Sequence, residues 1–262
     1  MLKRRLIPKL QIKQTRNGTK PRMVLVTTIR FEDFIEIGDP ISQAKIYEAQ
    51  AADELIFLDL DAALQERAIL TELVSRIAEE IFMPITVGGG IRCNEDFRQL
   101  LSSGADKVSI NTAAVEDPDL IRRSSDSFGT QCVVLSIDYR ANGNGTNQVY
   151  IKGGRVKTDM DPVRWAVEGE RRGAGEILLT CIDRDGTRLG LDLQVIREVA
   201  KEVSIPVVAS GGCGLASHFV DGFIEAGADA VAAGTYFCFK DENPMQTRSQ
   251  ILNAGIPIRL HS

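Results

Sequence analysis

The chain has 262 residues, 44% of them hydrophobic and 26% charged, with a formal net charge of −5 at pH 7. This composition is typical of a globular protein with one large domain, and the negative charge offers no field that attracts nucleic acid or an anionic membrane. Pro8 and Lys9 interrupt the apolar residues near the N-terminus, and no apolar run approaches signal-peptide or transmembrane length. We therefore expect a cytoplasmic protein that binds neither nucleic acid nor membrane.

The cysteine and histidine content argues against metal and disulfide chemistry. No C-x-x-C pair occurs, the number of cysteines is odd, and only two histidines are present. We therefore expect reduced, buried thiols, no metal site and no cofactor. The five cysteines are Cys93, Cys132, Cys181, Cys213 and Cys238.

Eight short β-rich runs alternate with helical patterns along the chain. The runs are continuously apolar, as expected for parallel strands that are covered on both faces. Eight such units predict an α/β fold, a single (β/α)₈ TIM barrel spanning residues 1–262. A doubly wound sheet is the rival, but no G-x-G-x-x-G follows the first run. In chain order the runs are LIPKLQI, ELIFLDL, PITVG, KVSIN, CVVLSID, EILLTCI, PVVAS and AVAAG.

Two segments interrupt this alternation, and both follow a strand. Residues 13–38 are predicted to form a long loop after the first strand. After the fifth strand, VYIKGGRVKT predicts a β-hairpin that turns at Gly153-Gly154. Both segments should lie at the C-terminal face of the barrel, where long loops commonly form lids or binding loops.

The two halves of the chain resemble each other. PITVGGGIRCNEDFRQLLSSGADKVSINT begins at Pro84, and PVVASGGCGLASHFVDGFIEAGADAVAAGT begins at Pro206. The same distance along the chain separates Glu54 in DELIFLDLD from Glu176 in GEILLTCIDRD. The sequence thus predicts a two-fold repeat of half-barrels, about residues 1–130 and 131–262.

The repeat also relates the ends of the first and fifth strands. Aligning IPKLQIK with VVLSIDYR places Gln11 opposite Asp138. Asp138 ends an apolar run and should lie at the barrel mouth, where partial burial can adapt a carboxylate for proton transfer. The alternative is a structural aspartate that caps the following loop.

Glycine clusters follow the third and seventh strands, at positions related by the repeat. Glycine lets backbone amides approach a phosphate closely, and a helix N-terminus supports its charge. One such cluster would be typical of a tight turn, whereas two related clusters favour a ligand with a phosphate at each end. The predicted cradle residues are Gly90, Asn111, Thr112, Asp185, Gly186, Ser210, Gly211, Gly212, Gly234 and Thr235.

At the opposite, N-terminal face, four charged residues stand at or just before strand starts. Each one alone would be typical of a solvated strand end. Together they comprise two cations and two anions, which could form an ion-pair ring across the barrel bottom. They are Arg5, Glu54, Lys107 and Glu176.

These motifs resemble those of the cyclase subunit of imidazole glycerol phosphate synthase, a barrel of the ribulose-phosphate-binding type. The likeness is carried by DELIFLDLDA, PITVGGGI, GADKVSINTAAVEDPDLI, RRGAGEILLTCIDRDGT, VVASGGCG and GADAVAAGTYF. The resemblance implies a glutaminase partner at the N-terminal face and ammonia passing the four charged residues as a gate. It also implies a bis-phosphorylated aminoimidazole-carboxamide ribonucleotide at the top, with a general acid and base at the positions of Gln11 and Asp138.

The first strand departs from the family pattern. There the family has Cys-Leu-Asp-Val-Lys-Asp-Gly-Arg, whereas this chain has KLQIKQTR, with Gln11 and Gln14 at both acidic positions. Lys13 or Lys20 could replace the family's loop lysine. A glutamine amide cannot exchange a proton near neutral pH, and loss of a general acid or base costs about 10²–10⁴-fold in rate.

Three functions remain open at this point. One is a genuine cyclase subunit with a displaced base, such as Asp138 alone or a loop residue. The second, which Gln11 and the altered loop favour, is a divergent paralogue that delivers ammonia to another acceptor. That acceptor could be a surface-polysaccharide sugar, with a separate sugar amidotransferase in lipopolysaccharide biosynthesis. The third is a non-catalytic barrel that binds a phosphate ligand, which the retained ring disfavours.

Overall fold

The computed structural model describes residues 3–15, 22–62, 70–142, 145–239 and 243–259. Eight parallel strands pair in sequence around a closed circle, the eighth returning to the first with Arg5 opposite Ala230. The predicted α/β TIM barrel is therefore confirmed. Its strands are β1 (Arg5–Thr15), β4 (Leu55–Asp59), β5 (Ile85–Gly88), β6 (Lys107–Ile110), β7 (Val133–Ala141), β10 (Glu176–Cys181), β11 (Val207–Ser210) and β12 (Ala230–Ala233).

Helices cover the outside of the barrel. Two begin with the Asp-Pro pairs of the sequence: the Asp39 carboxylate accepts from the Ser42 amide, and Asp161 accepts from the amides of Val163 and Arg164. The described helices are α1 (Pro40–Ala49), α2 (Thr71–Ala78), α3 (Asn94–Ser102), α4 (Thr112–Glu116), α5 (Asp119–Phe128), α6 (Pro162–Arg171), α7 (Leu193–Glu202), α8 (Ala216–Ile224), α9 (Thr235–Phe239) and α10 (Pro244–Asn253), with a 3₁₀ helix at Thr130–Cys132. Among the helices of the described residues, none is long and apolar enough to cross a membrane.

Alternation along the strands divides the apolar residues into two sets. The larger set packs between the strands and the helices, while the smaller set forms one layer across the barrel interior. Successive side chains of a strand point to opposite faces. On β1, therefore, Arg5 and Lys9 share the inward face of Ile7, with Arg5 on the N-terminal side of the layer and Lys9 on the C-terminal side. The interior layer consists of Ile7, Ile56, Val134, Leu178, Val208, Ala230 and Ala232, with Leu58 packed against it.

The prediction of a loop over residues 13–38 is wrong for its described part. Strand β1 continues through Thr15, and β2 (Arg22–Ile29) and β3 (Glu32–Gly38) extend it as an antiparallel pair, with Gln11 opposite Val26. The β-branched and apolar residues of MVLVTTI favour strand. Residues 16–21, and with them Lys20, lie outside the described residues.

The predicted hairpin after the fifth barrel strand is confirmed. It consists of β8 (Asn147–Ile151) and β9 (Val156–Lys157), which pair antiparallel, and β8 also pairs with β7. The turn has positive φ at Lys152, Gly153 and Gly154, at 54°, 66° and 77°. Glycine at two of these positions relieves the steric cost of that conformation.

Candidate active site

Two hollows open at the C-terminal ends of the strands, and the predicted cradle residues divide between them. The first hollow follows β5, β6 and β7 and is lined by Gln11, Gly90, Asn111, Thr112 and Asp138. The second hollow follows β10, β11 and β12. It is lined by Lys9, Asp185, Gly186, Ser210, Gly211, Gly212, Gly234 and Thr235.

Three buried polar atoms of these hollows are unpaired within the described part of the chain. They are Ser109 Oγ and Asn111 Oδ1 in the first hollow and Ser210 Oγ in the second. A buried polar atom without a partner is costly. These atoms are therefore available to hydrogen-bond a ligand in each hollow.

The second hollow depends on glycine for its shape. Gly212 has φ of 116°, and a Cβ there would lie 2.1 Å from the carbonyl oxygen of Gly190. At Gly186, with φ of 72°, a Cβ would lie 2.0 Å from the carbonyl oxygen of Thr28. Since the obstructing atoms belong to the backbone, a side chain would displace the loop at Gly190 in the first case and strand β2 at Thr28 in the second.

We expect Gly212→Ala to weaken binding of a phosphate ligand in the second hollow, because the loop must shift away from Gly190. The positive φ alone should lower the free energy of unfolding by about 1–3 kcal/mol. Gly255→Ala is the matched control, since Gly255 has φ of 80° with nothing within 4 Å of its Cβ position. Calorimetric titration with inorganic phosphate checks the binding; equal affinities in both variants would contradict the expectation.

Asp138 lies half-buried in the C-terminal half of β7, in the first hollow. The side-chain Nδ2 of Asn111 donates to Asp138 Oδ2 at 2.8 Å and to the Tyr150 carbonyl oxygen at 3.1 Å. Burial raises the pKa of Asp138 to about 6, against the attraction of Lys9 and the hydrogen bond from Asn111. This carboxylate can therefore accept and return a proton near neutral pH.

A reaction that uses the Asp138 carboxylate as its base should lose activity on acidification. Because the pKa is raised to about 6, the carboxylate is ionised above that pH and becomes protonated below it. We expect kcat/KM for ammonia-dependent turnover, corrected for the fraction of free ammonia, to fall about tenfold per pH unit below pH 6. An acidic limb near pH 4 instead would show that an ordinary surface carboxylate controls the rate.

Asp185 is the centre of a buried polar cluster at the second hollow. Its Oδ1 accepts from Lys9 Nζ at 3.1 Å, and its Oδ2 accepts from Thr28 Oγ1 at 3.0 Å and Gln11 Nε2 at 3.5 Å. Thr28 Oγ1 also lies 3.2 Å from Gln11 Oε1. Sequence reasoning missed Lys9 and Thr28, although the two-residue spacing of Lys9 and Gln11 on one strand could have identified the lysine.

Its neighbour Asp183 holds a loop rather than a ligand. The Asp183 Oδ2 accepts from the Ala141 amide at 2.9 Å, and Arg30 Nε donates to its carbonyl oxygen at 3.2 Å. One of the two aspartates in DRDGT therefore braces the loop.

Two aromatic residues in the β2–β3 hairpin were also missed. Phe31 and Phe34 line the first hollow, and Lys13 Nζ lies 3.6 Å from the centroid of the Phe34 ring. Lys13 also pairs with Asp61 at 3.5 Å. This placement follows from the antiparallel extension of β1, which the loop prediction did not contain.

At the opposite face the four predicted charged residues form an alternating ring. Arg5 donates to Glu54 at 2.9 Å and also to Glu176, and Lys107 bonds Glu54 at 2.9 Å and Glu176 at 2.8 Å. Thr86 Oγ1 donates to Glu54 at 2.8 Å. We call these four residues the ion-pair ring; it lies directly below the apolar layer of the interior.

The ring favours the charged forms of Glu176 and Arg5. Burial opposes charge on Glu176, but the attraction of Arg5 and Lys107 lowers the pKa of Glu176 below its usual value. Burial likewise opposes charge on Arg5, while Glu176 and Glu54 raise its pKa. The barrel bottom is therefore closed by fixed charges of both signs.

A family model described as "Histidine biosynthesis protein" matches residues 5–243, nearly the whole barrel. The chain belongs to this family. The "Putative imidazole glycerol phosphate synthase subunit hisF2" of Prochlorococcus marinus (strain MIT 9313) is 54% identical over 262 residues, covering 99% of each chain. The "Imidazole glycerol phosphate synthase subunit HisF" of Lactococcus lactis subsp. cremoris (strain SK11) is 48% identical over 261 residues, covering 99% of this chain and 98% of the relative. These identities confirm that the chain resembles the cyclase subunit of imidazole glycerol phosphate synthase.

The names of these relatives do not support the divergent-paralogue hypothesis. Both of these relatives are named as imidazole glycerol phosphate synthase subunits, and neither name refers to a surface polysaccharide. The names favour the histidine-pathway function over the ammonia delivery that the sequence alone favoured. Lipopolysaccharide biosynthesis and a sugar amidotransferase partner have no support from them.

Proposed function

We propose that the protein is the cyclase subunit of an imidazole glycerol phosphate synthase. In this role it would accept ammonia from a glutaminase subunit and act on a bis-phosphorylated aminoimidazole-carboxamide ribonucleotide. The observation that supports this function best is the pair of glycine-containing hollows, the first of which contains the Asp138 carboxylate. The names of the relatives, which are 54% and 48% identical, support the same reaction.

The two hollows suit a ligand with a phosphate at each end. Backbone amides at Gly90 and Thr112 would receive one phosphate, and those at Gly211, Gly212 and Thr235 would receive the other. The aminoimidazole portion would then lie between them, near Asp138 and the Asp185 cluster. In this position Asp138, with a pKa of about 6, acts as the base that takes a proton from the attacking nitrogen.

Ammonia would enter at the face opposite to the substrate. The glutaminase would dock at the N-terminal face, and ammonia would pass the ion-pair ring and then the apolar layer around Ile7. An apolar layer admits neutral ammonia and disfavours ammonium, because burying an unpaired charge is costly. The nucleophile would then reach Asp138 without protonation by bulk water.

Ammonia delivery to another acceptor is the second candidate, and one specific observation favours it. Gln11 is 5% exposed, and its amide occupies a position where the family pattern has aspartate. If no other group exchanges the proton that the aspartate would, the cyclase reaction would be slow. The ion-pair ring and the apolar layer would still conduct ammonia.

One assay separates the two candidates. Purified protein is given the bis-phosphorylated ribonucleotide and excess ammonium at alkaline pH, and loss of the ribonucleotide is followed by chromatography. We expect turnover, with saturation by the ribonucleotide. Binding of the ribonucleotide without turnover would contradict the cyclase function and favour delivery to another acceptor.

A second measurement tests the glutaminase partnership. The protein is mixed with its cognate glutaminase, and complex formation and glutamine hydrolysis are measured together. We expect a complex and faster hydrolysis when the ribonucleotide is present. If neither occurs, both ammonia-using functions are contradicted and the non-catalytic phosphate-binding barrel is favoured.

A further inference from the structure

Lys9 places a buried ammonium group in the reaction centre. It is 3% exposed, lies on the inward face of β1 and lines the second hollow. Its Nζ is 3.1 Å from Asp185 Oδ1. A lysine is almost never fully buried unless it is paired, so the Asp185 carboxylate is what keeps this ammonium in place.

The Lys9 ammonium lies at the same level along the barrel axis as the Gln11 side-chain amide. The Cα atoms of Lys9 and Gln11 are separated by about 6.6 Å along the strand, a rise that an extended lysine side chain spans. Lys9 Nζ and Gln11 Nε2 contact the two different oxygens of the same Asp185 carboxylate, at 3.1 Å and 3.5 Å. The ammonium therefore lies beside the position of the missing carboxylate.

We propose that Lys9 supplies the proton-exchanging group that Gln11 lacks, so that Lys9 and Asp138 form the acid–base pair of this active site. The proposal rests on the cyclase function proposed above and assigns that function a residue of its own. Lys9 is its acid and Asp138 is its base. Gln11 and Thr28 are positioning residues, because both contact Asp185, which holds the ammonium.

In one turnover Asp138 accepts one proton and Lys9 gives one, so the pair neither gains nor loses protons overall. The ammonia nitrogen becomes positively charged when its lone pair forms the new bond, and the Asp138 carboxylate accepts one of its three protons. The leaving group departs with the electron pair of the broken bond, and the Lys9 ammonium gives it a proton and becomes a neutral amine. Transfer of the proton from Asp138 back to Lys9 through solvent restores both groups.

The charges around Lys9 suit this role. Asp185 after β10 balances the ammonium directly, and Asp138 on β7 lies close enough for Lys9 to lower its pKa. Among the described residues Cys213 after β11 is a further titratable neighbour of Lys9, and burial raises its pKa, so it stays a neutral thiol. A carboxylate in place of the Gln11 amide, as in the family pattern, would add a third negative charge here, whereas Lys9 with the neutral Gln11 amide leaves a net charge of −1 from Asp138, Asp185 and Lys9.

Four variants test the assignment in the ammonia-dependent assay: Lys9→Arg, Lys9→Cys, Lys9→Cys/Gln11→Asp and Lys9→Cys/Gln14→Asp. Lys9→Arg keeps the cation beside Asp185 but cannot exchange a proton near neutral pH. Lys9→Cys/Gln11→Asp restores the Cys-Leu-Asp pattern of the family. Lys9→Cys/Gln14→Asp is the matched control, because it adds the same carboxylate farther along the same strand. Circular dichroism and calorimetric titration with the ribonucleotide confirm folding and binding in each variant.

We expect Lys9→Arg and Lys9→Cys to bind the ribonucleotide and lose about 10²–10⁴-fold in kcat. Gln11→Asp should recover part of that loss in the Lys9→Cys background, and Gln14→Asp should not. If Lys9 were only a counter-ion for Asp185, Lys9→Arg would keep its activity, and the carboxylate that Gln11→Asp introduces would lower the activity of Lys9→Cys further. Either result would overturn the assignment of Lys9 and leave the cyclase function standing.

The failure of the cyclase function has a different signature. Wild-type protein that binds the ribonucleotide without turnover, while Lys9→Cys/Gln11→Asp turns it over, would show that the native pair does not perform this reaction. Binding without turnover by both proteins would show that the barrel serves another acceptor. Both results would overturn the role of Lys9 as an acid, and both differ from the result in which only the lysine assignment fails.

Discussion

Asp138→Asn is expected to lower kcat for ammonia-dependent turnover by about 10²–10⁴-fold. The substitution keeps an oxygen that can accept the 2.8 Å hydrogen bond from Asn111, so the first hollow should keep its shape. It removes the ionisable group of β7, and with it the proposed base. The measurement is kcat and KM for the ribonucleotide under saturating ammonium, with KM expected to change little.

The same variant should be more stable than the wild type at neutral pH. Burial raises the pKa of Asp138 to about 6, so between its unfolded value and pH 6 the folded protein binds more protons than the unfolded one. Stability of the wild type therefore falls as pH rises through this range, and the variant escapes that loss. Denaturant unfolding at pH 4 and pH 7 checks this; a variant that is less stable at both pH values would indicate a structural aspartate that caps the loop.

Arg5→Leu is expected to lower the free energy of unfolding by about 3–5 kcal/mol, the range for breaking one side of a buried ion pair. Arg5 donates to both glutamates of the ion-pair ring, whose side chains are 4% and 7% exposed. Without the guanidinium, Lys107 alone would balance two buried carboxylates. Urea unfolding at pH 7.5 measures the difference.

Lys45→Leu is the matched control for that substitution. Lys45 forms a 2.6 Å pair with Glu80, but these side chains are 52% and 47% exposed. Exposed pairs contribute about 0–1 kcal/mol, so this variant should unfold nearly as the wild type does. If Arg5→Leu is no less stable than Lys45→Leu, the four charges behave as solvated strand ends and not as a ring.

The repeat and the strand pattern made the barrel and its two hollows predictable. Continuously apolar runs such as EILLTCI are buried on both faces, and the glycines after β5 and β11 are at repeat-related positions. Local constraints of this kind are visible in sequence because they depend on neighbouring residues. Strands β2 and β3 within residues 13–38 were harder to predict, because they are defined by pairing to β1 and not by their own composition alone.

Gln11 illustrates the limit of sequence reasoning. The substitution of the family's aspartate was visible in KLQIK and indicated a missing acid or base. The lysine two residues earlier was equally visible, and its spacing places it on the same face of the strand as Gln11. The sequence did not show which distant residue the two would meet. Closure of the barrel places both beside Asp185 from the loop after β10.

The sequence by itself determined the order of the eight barrel strands, the internal repeat, the glycines of both hollows and the four charges at the strand starts. Each of these follows from residue type and spacing, through burial, backbone conformation or charge. Only the tertiary structure decided which charges meet. Lys9 and Asp185 are far apart in the chain and 3.1 Å apart in space, a contact that exists because eight strands close into one barrel. Barrel closure therefore brought the ammonium to the place where Gln11 lacks a carboxylate.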